Sequence, residues 1–163
     1  MLRSFAETLR ECYPCPDLGV RLAASMQAYE PETAPDSVAR RVRGWLGGKS
    51  LPRNREDVFR IGFALDLTEA QTSLLLGLCF DYGIHYRDPR DAVYAWFLRN
   101  DLGYDEARRF YASLPEPPRA VDYVDLGADV HLTQRVQAAF RGVHTVEALR
   151  EACLDNIESF GVL

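Results

Sequence analysis

Long apolar runs are missing from this chain. No stretch approaches the roughly 20 apolar residues that cross a bilayer, and the opening MLRSFAETLREC carries charges where a secretory leader has its apolar core. No membrane partner is expected, and the chain is expected to be cytoplasmic. Cysteine is scarce, with four in 163 residues, and because a cytosolic compartment keeps thiols reduced all four are expected to be free. Cys12-Tyr13-Pro14-Cys15 is a lone C-x-x-C, without the second pair that structural zinc takes and without a surrounding βαβ pattern for redox work. His85, His131 and His144 lie too far apart to form a helical metal pair. A serine nucleophile elbow and a dinucleotide glycine pattern are absent as well. Gly47-Gly48-Lys49-Ser50 has the letters of a phosphate loop's tail, but it follows a helix and is expected to be a C-cap. With no metal, cofactor or catalytic constellation in view, the chain is expected not to be an enzyme.

Strand signals are also nearly absent, whereas apolar residues recur at spacings of three and four from end to end. The fold class is therefore expected to be all-α, with about nine helices, and the 47% hydrophobic content is enough for a true core. Leu2, Phe5, Leu9 and Cys12 share one face of the first helix, and Leu18, Leu22 and Met26 share one face of the second. EPETAP reads as a loop. A third helix is expected to start on a cap at Asp36 or Ser37, to bury Val38, Val42, Trp45 and Leu46, and to stop at Gly47-Gly48. A fourth runs from about Asn54 to Leu65, and Thr68 with Gln71 forms a capping box for a fifth. Asp88-Pro89-Arg90-Asp91 opens a sixth, a seventh spans about 105–114, and two more are expected near 129–141 and 145–159. The prolines of PEPPRA mark the best internal boundary.

Charge is unevenly spread. The net charge of -5 argues against a protein that coats nucleic acid indiscriminately. Between Asp36 and Arg60, however, seven basic residues face three acidic ones, a local +4 that leaves -9 for the remainder. Arg40, Arg41 and Arg43 project from the third helix, and Lys49 follows its exit near a turn stiffened by Pro52.

The stretch SVARRVRGWLGGKSLPRNREDVFRIGFALDL resembles the helix-turn-helix domains of the lambda-repressor/Cro, or XRE-like, type. Val42, Trp45, Gly48, Lys49 and Pro52 fall at that family's offsets, and Ala64-Leu65, Asp66-Leu67 and Thr68-Glu69-Ala70 match its next turn and helix. The likeness covers about 40 residues, a quarter of the chain. It implies a helix-turn-helix core whose third helix enters the major groove of double-stranded DNA. Arg40 then resembles a base reader, with Ser37 and Arg41 beside it. Arg43 and Lys49 resemble phosphate contacts, and Arg53 and Asn54 sit where the family's loop approaches the backbone.

Three segments follow from this: 1–80 as a helix-turn-helix DNA-binding-like domain, 81–115 as an extension of the helical core, and 116–163 as a C-terminal helical hairpin after a proline-rich linker. The expected function is a sequence-specific transcriptional regulator, with the C-terminal helices forming a homodimer or holding a protein partner. The competing expectation is an adaptor or inhibitor that reuses the scaffold and turns its acidic surface toward a protein.

Overall fold

A computed structural model describes residues 4–115, 126–157 and 160 of the chain. Among these residues all regular structure is helical: α1 Phe5–Cys12, α2 Leu18–Tyr29, α3 Pro35–Leu46, α4 Arg55–Ala64, α5 Glu69–Cys79, α6 Pro89–Arg99, α7 Tyr104–Ala112, α8 Leu126–Arg141 and α9 Val146–Asp155. None of the described helices is long and apolar enough to cross a membrane. The all-α expectation holds. Leu2 and most of PEPPRA lie outside the described residues.

The helices form two compact units, Met1–Gly83 and Ile84–Leu163. In the first unit α2 packs on α3 and α4, α4 on α5, and α1 on α5 and α3. Leu9, Leu22 and Met26 are fully buried there, as are Val58, Phe59 and Ile61, while Val38, Val42 and Trp45 bury the inner face of α3. The close α4–α5 approach runs through Gly62. A Cβ at that position would lie 2.6 Å from Thr72 Oγ1, so the crossing requires a residue without a side chain.

Local chemistry explains the helix limits. Ser4 accepts from the Glu7 amide at 3.2 Å while the Glu7 carboxylate accepts from the Ser4 amide at 3.0 Å, a capping box. Thr68 and Gln71 repeat the arrangement at α5, at 3.1 and 3.0 Å. α3 departs from the expected start. Neither Asp36 nor Ser37 caps it; Ala34 is the N-cap residue and Pro35 takes the first helical position, where its fixed φ suits the helix and its missing N–H costs nothing. α3 ends in a Schellman turn. Gly48 has φ 72°, the Lys49 amide donates to Gly44 O at 3.0 Å and the Gly48 amide to Trp45 O at 3.3 Å.

In the second unit α6 is the central helix, buried from Asp91 through Leu98, and it packs on α7 and α8 while α8 packs on α9. Asp88 caps it by accepting from the amides of Arg90 and Asp91 at 2.9 and 3.3 Å, where the sequence placed the cap. α6 and α7, which fall within segment 81–115, belong to this second unit. Trp96 Nε1 donates to Val143 O at 2.9 Å, which ties α6 to the α8–α9 turn. Tyr94 and Tyr104 meet edge-on at 6.0 Å, and Phe97 and Phe110 lie 5.6 Å apart.

Candidate functional site

α2 and α3 are joined by the five residues Glu30 to Ala34, so the loop stays short because α2 continues through Tyr29. Val38, Val42 and Trp45 hold one side of α3 to the core and leave Ser37, Arg40 and Arg43 exposed on the other. The loop from Lys49 to Asn54 then returns beside the same helix, because the Ser50 amide also donates to Gly44 O at 3.2 Å. A Cβ at Gly44 would lie 2.5 Å from Ser50 Oγ and in ordinary contact with Ser50 Cβ at 3.7 Å, so the loop returns close against the helix at this point.

Between α3 and its returning loop lies a cleft of about 470 Å³, and Ser37, Arg40, Arg41, Arg53 and Asn54 line it. Five of the seven residues singled out from the sequence thus share one concave surface. Arg43 and Lys49 are exposed outside that lining. Trp45, Leu51 and Ser50 supply much of the remaining wall, and Asp57 closes it from α4. Asn54 is also the N-cap of α4, its side-chain oxygen accepting from the Asp57 amide at 2.8 Å.

Arg41 differs from its neighbours. Its guanidinium pairs with Glu30 at 2.7 Å and with Asp57 at 3.5 Å, and it lies over the Trp45 ring at 5.8 Å. Arg60 completes the cluster, 3.0 Å from Asp57 and 3.6 Å from Glu30. Both carboxylates are buried, and two guanidiniums balance two acids. Burial pushes the Asp57 carboxyl up from its ordinary value, while the charges of Arg41 and Arg60 pull it down and that of Glu30 raises it further.

This pairing changes what the local charge of +4 means. Arg41 and Arg60 are held by acids, and Arg55 donates to the carbonyls of Tyr82 and Gly83 at 3.1 and 2.6 Å and lies 4.7 Å over the Tyr82 ring. Arg40, Arg43, Lys49 and Arg53 are exposed and form no ion pair with the described residues. A ligand approaching α3 therefore meets these four cations. Sequence reasoning missed Glu30 and Asp57 as partners of Arg41, and Arg60 as the second cation on the same two acids. In the sequence Asn54 marked the start of the fourth helix, and nothing nearby carried a signal of a buried ion-pair cluster.

No group of three or more ligating side chains gathers among the described residues. Cys12, Cys15, Cys79 and Cys153 are free thiols. Burial raises the Cys79 thiol to about 11 and the Cys153 thiol to about 12, so both stay protonated and poorly nucleophilic near neutral pH. No protein family, curated protein or solved structure matches the chain.

Proposed function

We propose that the chain is a sequence-specific DNA-binding regulator of the helix-turn-helix kind, with α3 as its recognition helix. One observation carries this reading: α3 is anchored by Val38, Val42 and Trp45 while Ser37 and Arg40 face outward beside Arg53 and Asn54 of the returning loop. An exposed arginine in the first half of an inserted helix can reach a guanine edge bidentately, and cations at the helix exit can neutralise phosphates. The short connection to α2 supports the same reading, since helix-turn-helix units join their two helices by a turn of a few residues. Such a protein acts in the cytoplasm as a dimer, because one recognition helix contacts too few bases to discriminate a site.

Within this reading Arg40 reads a base, Arg43, Lys49 and Arg53 hold phosphates, and Arg41 keeps α3 in place through Glu30 and Asp57. Binding of wild type, Arg40→Ala and Lys49→Ala to a selected and a scrambled duplex at several salt concentrations tests it. Arg40→Ala is expected to flatten sequence preference, losing about 1 to 3 kcal/mol on the best site. Lys49→Ala is expected to weaken all duplexes alike and to lower the salt slope by about one unit. If the wild type retains no duplex at low salt, the regulator reading fails and the adaptor reading, favoured by the -9 outside the basic island, takes its place.

A further inference from the structure

The cleft between α3 and its returning loop is roomier than a phosphate contact requires. A phosphodiester on a duplex surface needs only a few converging donors, whereas about 470 Å³ is room for a small organic molecule. Three guanidiniums and one carboxylate line the cleft. Arg41 and Asp57 are matched within the buried cluster with Glu30 and Arg60, which leaves Arg40 and Arg53 as the uncompensated charges of the lining. The complementary ligand is an anion. Hydroxyls of Ser37 and Ser50 and the side-chain amide of Asn54 add polar groups, and Leu51, 48% exposed, offers an apolar wall above the buried Trp45.

We propose that this cleft binds a nucleoside monophosphate, its phosphate between Arg40 and Arg53 and its base against Leu51, and that the bound ligand competes with DNA for α3. A phosphate monoester carries close to two charges at neutral pH and presents terminal oxygens that a guanidinium can hold bidentately. Inorganic phosphate would satisfy the cations and leave most of the volume empty, and a base fills it with a flat, largely apolar body. The competition rests on the DNA-binding reading, because Arg40 cannot face a guanine edge and a ligand phosphate together. The pocket itself does not rest on that reading.

Trp45 and Trp96 are the two tryptophans of the chain, so in a Trp96→Phe background indole fluorescence reports the cleft wall alone. That protein is titrated without DNA with each of the four ribonucleoside monophosphates, with ribose 5-phosphate and with inorganic phosphate. At least one nucleotide is expected to give a saturable change and to bind at least about tenfold more tightly than inorganic phosphate. Arg40→Ala and Arg53→Ala should each weaken it by about ten- to hundredfold, the equivalent of one charge-assisted hydrogen bond, while Arg21→Ala, on α2 and outside the cleft, leaves it unchanged. Equal affinity for nucleotide and inorganic phosphate, indifference to the Arg40 and Arg53 variants, or no saturation by any nucleotide at about 10 mM overturns the pocket; a real site for so small a ligand falls well below that concentration. Duplex binding is then measured with and without the nucleotide. Displacement supports the competition, and undiminished duplex binding with the cleft saturated overturns it. Absence of any duplex binding sinks the regulator reading and the competition with it, but leaves the pocket measurement standing.

Discussion

Arg40 and Arg41 show how neighbouring residues of one type acquire different duties. Arg40 and Arg41 are adjacent, yet the helical rotation of about 100° per residue turns Arg41 toward Glu30 of α2 and Asp57 of α4 and leaves Arg40 facing out. Removing Arg41 would strand two buried carboxylates with Arg60 alone, whereas removing Arg40 strands nothing. Asp57 makes the cluster sensitive to pH. Because burial outweighs the pull of its arginine partners, its folded pKa lies above its unfolded value of about 3.9. Between those two values the folded state keeps a proton that the unfolded chain has already lost. Its contribution is therefore fully present below about pH 3.9 and declines as pH rises through the window up to the raised value. The urea stability of wild type relative to Asp57→Asn is expected to fall across that window. A relative stability that climbs instead would mean that Arg41 and Arg60 outweigh the burial.

At the scale of elements, three helices end in the same way with different residues. α3 stops at Gly48, α4 at Asp66 with φ 51°, and α6 at Asp101 with φ 55°. In each the amide two residues past the C-cap reaches back to the carbonyl that begins the last turn: Lys49 to Gly44 at 3.0 Å, Leu67 to Gly62 at 2.9 Å, and Leu102 to Phe97 at 3.0 Å. The left-handed conformation strains a residue with a Cβ, although aspartate bears it better than most. Asp66→Gly is accordingly expected to stabilise the first unit by about 0.5 to 1 kcal/mol. Gly48→Ala should destabilise it by about 1 kcal/mol, although a Cβ there meets nothing within 4 Å, since the cost lies in the backbone alone. Thermal midpoints of the two variants should move in opposite directions, and a shift of the same sign would refute the shared turn. α3 has a further restraint at this end, where Arg10 of α1 donates to Leu46 O at 2.6 Å and places a cation against the helix's negative pole.

For the whole molecule, the first unit draws its core from its own helices: Leu9 on α1, Leu22 and Met26 on α2, Val42 and Trp45 on α3, Phe59 on α4 and Leu75 on α5. A fragment spanning Met1–Gly83 is thus expected to keep a helical spectrum and to unfold in one cooperative urea transition. A broad transition without a baseline would show that this core borrows from residues beyond Gly83. Much of the fold was legible in the chain itself. Asp88-Pro89, Thr68 with Gln71 and Gly48 announced helix limits because a cap is a bond among residues three to five apart, and apolar spacing announced helical faces for the same local reason. The basic stretch was legible too. Tertiary structure decided which cations face solvent: Arg41 meets a carboxylate 11 residues away, Arg55 carbonyls 27 and 28 residues away, and Arg10 a helix end 36 residues away. It also decided that Ser37, Arg40, Arg53 and Asn54 share one cleft. Coulomb energy and hydrogen bonding depend on distance in space. Local sequence determines that distance only within a turn or two of helix, and beyond that range packing sets it.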